Sequence, residues 1–132
     1  MAFEVEESGD LDLLFEGTVD KAELFLKKVA MELFKSVILK TPVDTGRARA
    51  NWTCTISEPS TERVYSKTDK QGSQTVALAI KKADKAQLGS NIYLSNNLPY
   101  IGVLEYGSSD QAPKGMVRIS MQEIKNDMKD ML

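Results

Sequence analysis

The chain has no histidine and a single cysteine, Cys54. Without histidine it lacks the commonest general base at neutral pH and the commonest zinc ligand, so Ser-His-Asp and Cys-His nucleophiles and His-bound metals are excluded. One cysteine excludes an internal disulfide. No Lys or Arg precedes residue 21; the first twenty residues carry seven Asp and Glu instead, which is unlike the basic start of a secretory signal. No apolar run approaches the ~20 residues of a membrane span. These absences predict a chain made and kept in a cytoplasm.

What is present is ordinary for a globular domain. The 132 residues are 42% hydrophobic and 27% charged, enough for one domain that buries about two-thirds of the surface of its unfolded chain. The net charge of −2 is unevenly laid out. All 17 Lys and Arg lie after residue 20, against 12 Asp and Glu there, so residues 21–132 carry a net charge of +5 and an acidic N-terminal arm (1–17) precedes a mildly basic body (18–132).

Periodicity organises the body. Thr18 to Lys40 reads as a helix: Thr18 is the expected N-cap, and Ala22, Leu26, Val29, Leu33 and Val37 recur at spacings of three and four. Phe25, Ala30, Phe34 and Ile38 widen that stripe, so the helix needs a broad surface such as a sheet. Thr41-Pro42 ends it, and Asp44-Thr45-Gly46 has the residues of an Asx-type turn. Ala48, Ala50, Trp52, Cys54 and Ile56 then alternate with Arg47, Arg49, Asn51, Thr53 and Thr55, the pattern of a half-buried strand. Arg63 to Tyr65 is the expected return strand, and Lys67 to Ser73 a polar loop.

Gln74 to Gln87 fits two periods, because Val76, Leu78 and Ile80 alternate while Val76, Ile80 and Ala83 match a helix; its alanines and lysines favour helix. Asn91 to Ser95 reads as a strand with Ile92 and Leu94 on one face. Leu98 to Tyr106 reads as a short helix with Pro99 in its first turn and Gly107 closing it. After a loop over 108–115, Val117, Met121, Ile124 and Met128 line a final helix. The expected class is α+β: a small antiparallel sheet packed against two long helices, with one or two shorter helices.

On these elements, few residues point to chemistry. Arg47 and Arg49 share the expected outward strand face, either solvated with Arg47 paired to Asp44, or meeting carboxylates of a neighbouring subunit. Trp52 and Cys54 belong to the core row, where a thiol is unreactive. In 100–106, Ile101 and Leu104 are core positions, and Glu105 needs a partner among Arg47, Arg49 and Arg118. Gly102 permits a close approach and Gly107 a left-handed exit. Residues 108–115 contain no nucleophile elbow, phosphate loop or metal-ligand spacing. Lys81, Lys82 and Lys85 form a small basic cluster without interleaved aromatics, which reads as a solvated face.

Two strings are more specific: Thr41-Pro-Val-Asp-Thr-Gly-Arg-Ala-Arg-Ala-Asn-Trp52 and Pro99-Tyr-Ile-Gly-Val-Leu-Glu-Tyr-Gly-Ser-Ser-Asp-Gln-Ala-Pro-Lys-Gly-Met-Val-Arg118. With the helices beside them they resemble the tail-completion proteins of long-tailed bacteriophages over roughly residues 18 to 130. That resemblance implies a structural, non-enzymatic virion protein, without cofactor, that completes the head-proximal end of the tail and mediates head–tail joining. It implies a ring, expected to be a hexamer, touching neighbouring tail and head-closure proteins, with viral DNA passing nearby without sequence-specific binding and no membrane contact. Interface residues implied by the two strings are Arg47, Arg49, Tyr100, Glu105, Tyr106, Gly107, Gln111, Lys114 and Arg118. Related sequences tend to carry a histidine just after the glycine of Glu-Tyr-Gly, where this chain has Ser108. A tail terminator or head-closure ring is the alternative within the class. From another class, the alternative is a small regulatory or nucleic-acid-binding module whose acidic arm masks its basic body.

Overall fold

The computed structural model describes residues 2–5, 19–107 and 109–130, with the backbone alone at 2–5 and 130. The expected cap at Thr18 and the apolar cluster Leu11, Leu13, Leu14 and Phe15 of the arm lie outside the described residues. The elements run β1 (Ala2–Val5), α1 (Val19–Lys40), α2 (Arg47–Ala50), β2 (Thr53–Ile56), α3 (Ser73–Ala83), β3 (Ile92–Ser95), α4 (Ile101–Glu105) and α5 (Val117–Asp130). The architecture is α+β as expected, although the shorter helices number three. No helix among the described residues is long and apolar enough to cross a membrane.

Helix α1 forms where the stripe places it. Ala22, Phe25, Leu26, Ala30, Leu33, Phe34, Val37 and Ile38 are buried along it. It is the hub of the core, lying against α3 on one side and α5 on another. Thr41 closes the helix: its N–H donates to the Ile38 carbonyl and its hydroxyl to the Val37 carbonyl at 2.8 Å. Pro42 has no N–H with which to continue the ladder.

The sheet has three antiparallel strands in the order β1-β3-β2. Val5 and Ile56 flank Ile92, and Ala2 and Thr53 flank Ser95 at the other end. Ile92 and Leu94 are fully buried, and Cys54, opposite Leu94, is buried beside them. Burial pushes the Cys54 thiol up to about 12, against a weaker opposing pull from Lys82, so it is unreactive at neutral pH as expected.

Four expectations need correction. The strand begins at Thr53, not at Ala48, because Gly46 takes a left-handed conformation and Arg47-Ala-Arg-Ala50 then forms one helical turn. Four residues of alternating Arg and Ala cannot separate period 2 from period 3.6, and both types are good helix formers. Arg63–Tyr65 is not a strand; Val64 instead pairs with the side chain of Asn51, whose Oδ1 accepts from the Val64 N–H at 2.8 Å while its Nδ2 donates to the Val64 carbonyl at 2.9 Å. In the turn at 44–46 the Thr45 hydroxyl, not the Asp44 carboxylate, accepts the Arg47 N–H. On α5, Met121 is half exposed and Ser120 is fully buried in its place, where its hydroxyl meets that of Ser36 on α1 at 2.8 Å.

The ambiguous stretch is helical, with Thr75, Ala79 and Ala83 buried and Val76 and Ile80 half-buried beside them. Its start is decided by Asp69. The carboxylate accepts from Gly72 N–H (3.0 Å) and from both the N–H and the hydroxyl of Thr75 (2.9 Å each), satisfying donors that the first turn leaves free. Burial raises the Asp69 pKa, but these bonds outweigh it and hold the carboxyl below its ordinary value. Replacing Asp69 with Ala should lower stability by about 1–2 kcal/mol, the range for a lost cap. A lower midpoint in guanidinium denaturation, with native helix content retained in dilute buffer, checks it.

Candidate functional site

Folding brings the two strings against each other. The Gln111 side chain reaches across: its Oε1 accepts from Val43 N–H at 2.9 Å and its Nε2 donates to the Val43 carbonyl at 3.0 Å, imitating one rung of a β-ladder. Asn96, just ahead of the second string, adds a link to the first, its Nδ2 donating to the Ala48 carbonyl at 2.8 Å while its Oδ1 accepts from Leu98 N–H. Between the strings lies an open cleft of about 360 Å³, walled by Asp44, Thr45 and Arg47 on one side and Tyr100, Leu104 and Gln111 on the other.

The predicted residues divide into those that build this surface and those that face away from the protein. Arg49 is a builder. Its guanidinium donates to the carbonyls of Leu39 (2.7 Å), Thr41 (2.9 Å) and Lys70 (2.8 Å), gathering the C-terminal end of α1 and the loop before α3. Arg47, half-buried, donates from Nε to the Tyr65 carbonyl at 2.6 Å. Neither side chain points outward from a strand, because α2 replaces that strand.

Glu105 is also a builder, and the most connected group of the site. Its side chain is buried at the N-terminus of α5, where Oε1 accepts the N–H groups of Met116 (2.9 Å) and Val117 (2.8 Å) and Oε2 accepts that of Arg118 (3.1 Å). Arg118 closes the arrangement, with Nε on Oε2 at 3.0 Å and Nη2 on the Glu105 carbonyl at 2.6 Å. Of the three arginines expected as partners, Arg118 is the one found. A carboxylate supplied by α4 thus caps α5 and meets the positive end of its dipole. Burial raises the Glu105 pKa, but the bonds from Val117, Met116 and Arg118 outweigh it, so the carboxyl sits below its ordinary value. Gly115 makes the approach possible: it has φ +82°, and a Cβ there would run into the carbonyl and carboxylate oxygens of Glu105. Gly107, with φ +87°, performs the expected left-handed exit, its Cα facing the Pro113 carbonyl.

Facing outward are Tyr100, Tyr106, Lys114 and the exposed side of Arg118, whose guanidinium lies 4.9 Å from the centre of the Tyr106 ring. Sequence reasoning missed Val103, which is exposed between the tyrosines, the buried Gly115, and the buried polar residues Thr41, Asn51 and Asn96. The Val103 position was available from helical spacing. The buried polar set was not, because only the fold decides which polar side chain meets an unpaired backbone group. Among the described residues no three His, Cys, Asp or Glu side chains gather as a metal site would.

Glu105→Gln keeps the shape and removes the charge, so α5 loses an ion pair and charge-assisted bonds. A cost of about 1.5–3 kcal/mol is expected. The folded pKa lies below the unfolded value of about 4.3, so the stabilisation is present above that pH and is lost as pH falls through the folded pKa. Urea denaturation from pH 3 to 7 should show the parent weakening on the acid side and the E105Q chain weakening less, with the remainder due to Asp69.

Compared with family models, curated proteins and solved structures, the chain gives no match, so the resemblance to tail-completion proteins rests on the residues of the two strings.

Proposed function

We propose that this chain is a tail-completion protein of a long-tailed bacteriophage, a structural subunit that finishes the head-proximal end of the tail and lets it join a DNA-filled head. The observation that carries this reading is the Gln111–Val43 pairing, which makes one continuous surface of the two strings that resemble the family. The reading is further supported by how each string is used: Arg49, Glu105 and Gln111 bond to backbone groups within the subunit, and Tyr100, Tyr106, Lys114 and Arg118 are exposed. Exposed tyrosine and arginine are the residue types that protein interfaces favour.

In this role the subunit forms a cyclic, head-to-tail ring, a hexamer if it matches the tail tube one-to-one. It contacts the last tail ring on one side and the head-closure ring on the other, with DNA passing by without base-specific contact. The task needs no cofactor and no catalytic group. The site of action is the head–tail junction of the virion, reached from the host cytoplasm during assembly.

A phage lacking this chain should still fill heads and polymerise tails of normal length, and the two should accumulate separately in electron micrographs of the lysate. Adding the purified protein should restore infectious particles. Empty heads would reassign the chain to the closure ring, and overlong tails to the terminator. Normal assembly without it would overturn the reading in favour of a regulatory or nucleic-acid-binding module.

A further inference from the structure

We propose that the cleft between the two strings is a carboxylate site, in which Arg47 receives an acidic side chain carried on an extended segment of a partner protein. The partner rests on the assembly reading above; the site itself rests on the donors that line the cleft.

Arg47 is fixed by the fold and left half used. Its N–H meets the Thr45 hydroxyl at 3.2 Å, and its carbonyl accepts from both the N–H and the Nδ2 of Asn51. The side chain is half-buried and held at one nitrogen, with Nε on the Tyr65 carbonyl at 2.6 Å. Nη1 and Nη2 have no hydrogen-bond partner among the described residues, and no described carboxylate forms an ion pair with the group. Asp44, the partner expected from the sequence, does not fill that place. Arg49 shows the difference, since its Nε, Nη1 and Nη2 all bond to carbonyls of its own chain. A guanidinium drawn partly out of water without a counter-charge carries a cost that an incoming carboxylate removes. Because the side chain is already held at Nε, little freedom is lost when the other two nitrogens are taken.

The rest of the lining selects the ligand. The hydroxyls of Thr45 and Ser109 accept the N–H groups of Arg47 and Gln111, so each keeps its own proton to give, and the Tyr100 hydroxyl has no partner among the described residues. Three O–H donors and the free half of a guanidinium thus line about 360 Å³ against one carboxylate, that of Asp44. A ligand there must be richer in acceptors than in donors. A planar carboxylate meets a guanidinium two oxygens to two nitrogens. Asp44 disfavours an anion of higher charge, and Pro42 and Leu104 give an apolar wall for the stem of a glutamate or aspartate.

Size and openness make the source a protein. An open cleft of this volume lies at the small end of ligand sites and leaves a free ion in contact with water, where its pairing is weak. A side chain on a partner brings neighbours that cover the mouth of the cleft. The pair is then dehydrated by the interface around it, the setting in which arginine contributes most to recognition.

The test is an NMR titration of the isotope-labelled full-length chain with the blocked tripeptide Ala-Glu-Ala, compared with blocked Ala-Gln-Ala, acetate and inorganic phosphate. The expected result is a saturable shift of the amide signals of Thr45, Arg47 and Leu104 with the glutamate peptide and none with the glutamine peptide. Arg47→Gln should weaken binding about tenfold or more, as loss of a charge-assisted pair does. Since Arg47 also holds the Tyr65 carbonyl, Tyr100→Phe is the second variant: it removes one hydroxyl, leaves that bond in place and should weaken binding about threefold. Lys81→Gln, on an exposed residue of α3 that does not line the cleft, should leave binding unchanged. No saturable shift, equal binding of the glutamine peptide, or unchanged binding in both R47Q and Y100F would overturn the proposal. Tighter binding of phosphate would overturn the carboxylate, and acetate binding as tightly as the glutamate peptide would overturn the protein source. The readout is on the isolated subunit, so the two readings fail separately. A phage that joins heads to tails without this chain would sink the assembly reading and leave the carboxylate site standing. A chain that restores infectious particles yet shifts with no carboxylate would do the reverse.

Discussion

The carboxylate of Glu105 is the interaction on which the candidate surface depends. It sits where a helix begins, and a helix begins with N–H groups that its own ladder cannot satisfy. The residues just before α5 are Ala112-Pro-Lys-Gly-Met116, with no Ser, Thr, Asp or Asn to cap it locally. The cap therefore comes from the end of α4, eleven to thirteen residues earlier, and arrives with a full charge. Because one carboxylate serves two helices, α4, the loop and α5 form one rigid unit. The two left-handed glycines, Gly107 and Gly115, follow from that arrangement, since the chain must leave α4 and re-enter beneath its last carboxylate in few residues.

The same device recurs elsewhere in a gentler form. Asn51 pairs with both backbone groups of Val64 and Gln111 with both of Val43, each side-chain amide standing in for a strand neighbour, while Asn96 bridges the Ala48 carbonyl and the Leu98 N–H. A carboxamide has one acceptor and two donors, so it can satisfy both groups of an unpaired backbone residue at once. This explains how a sheet of four-residue strands supports long ordered connections. Arg49 extends the principle to three carbonyls, a geometry that a planar guanidinium meets and a lysine does not. Loops fixed in this way present recognition residues without the entropic cost of ordering them on contact.

That internal economy also clarifies what the surface is for. The residues that a purely local reading assigns to a partner, Arg49 and Glu105, are occupied within the subunit, and so the free energy of any contact must come from others. Tyr100, Val103 and Tyr106 remain, exposed and apolar enough to gain from burial, with the Arg118 guanidinium over the Tyr106 ring. A fold of this class hosts many functions, so the functional reading stands on these residues and on the two strings rather than on the architecture.

The sequence by itself determined the long elements and the class. The apolar stripe of α1, the stop at Thr41-Pro42, the buried pair Ile92 and Leu94, and the short helix ended by Gly107 were legible because each repeats or breaks a period that burial imposes. It also marked Glu105 as a charge in need of a partner and named Arg118 among three candidates. Only the tertiary structure decided the rest. Arg47-Ala-Arg-Ala50 is helical because a left-handed Gly46 precedes it, not because of its pattern, which fits either period. Ser120 rather than Met121 faces α1 because Ser36 offers it a hydroxyl, a match between residues 84 positions apart. Asn51, Asn96 and Gln111 look like solvated loop residues until the backbone groups they satisfy are in place. Periodicity reports which face of a segment is buried, but not which distant polar group it will meet there.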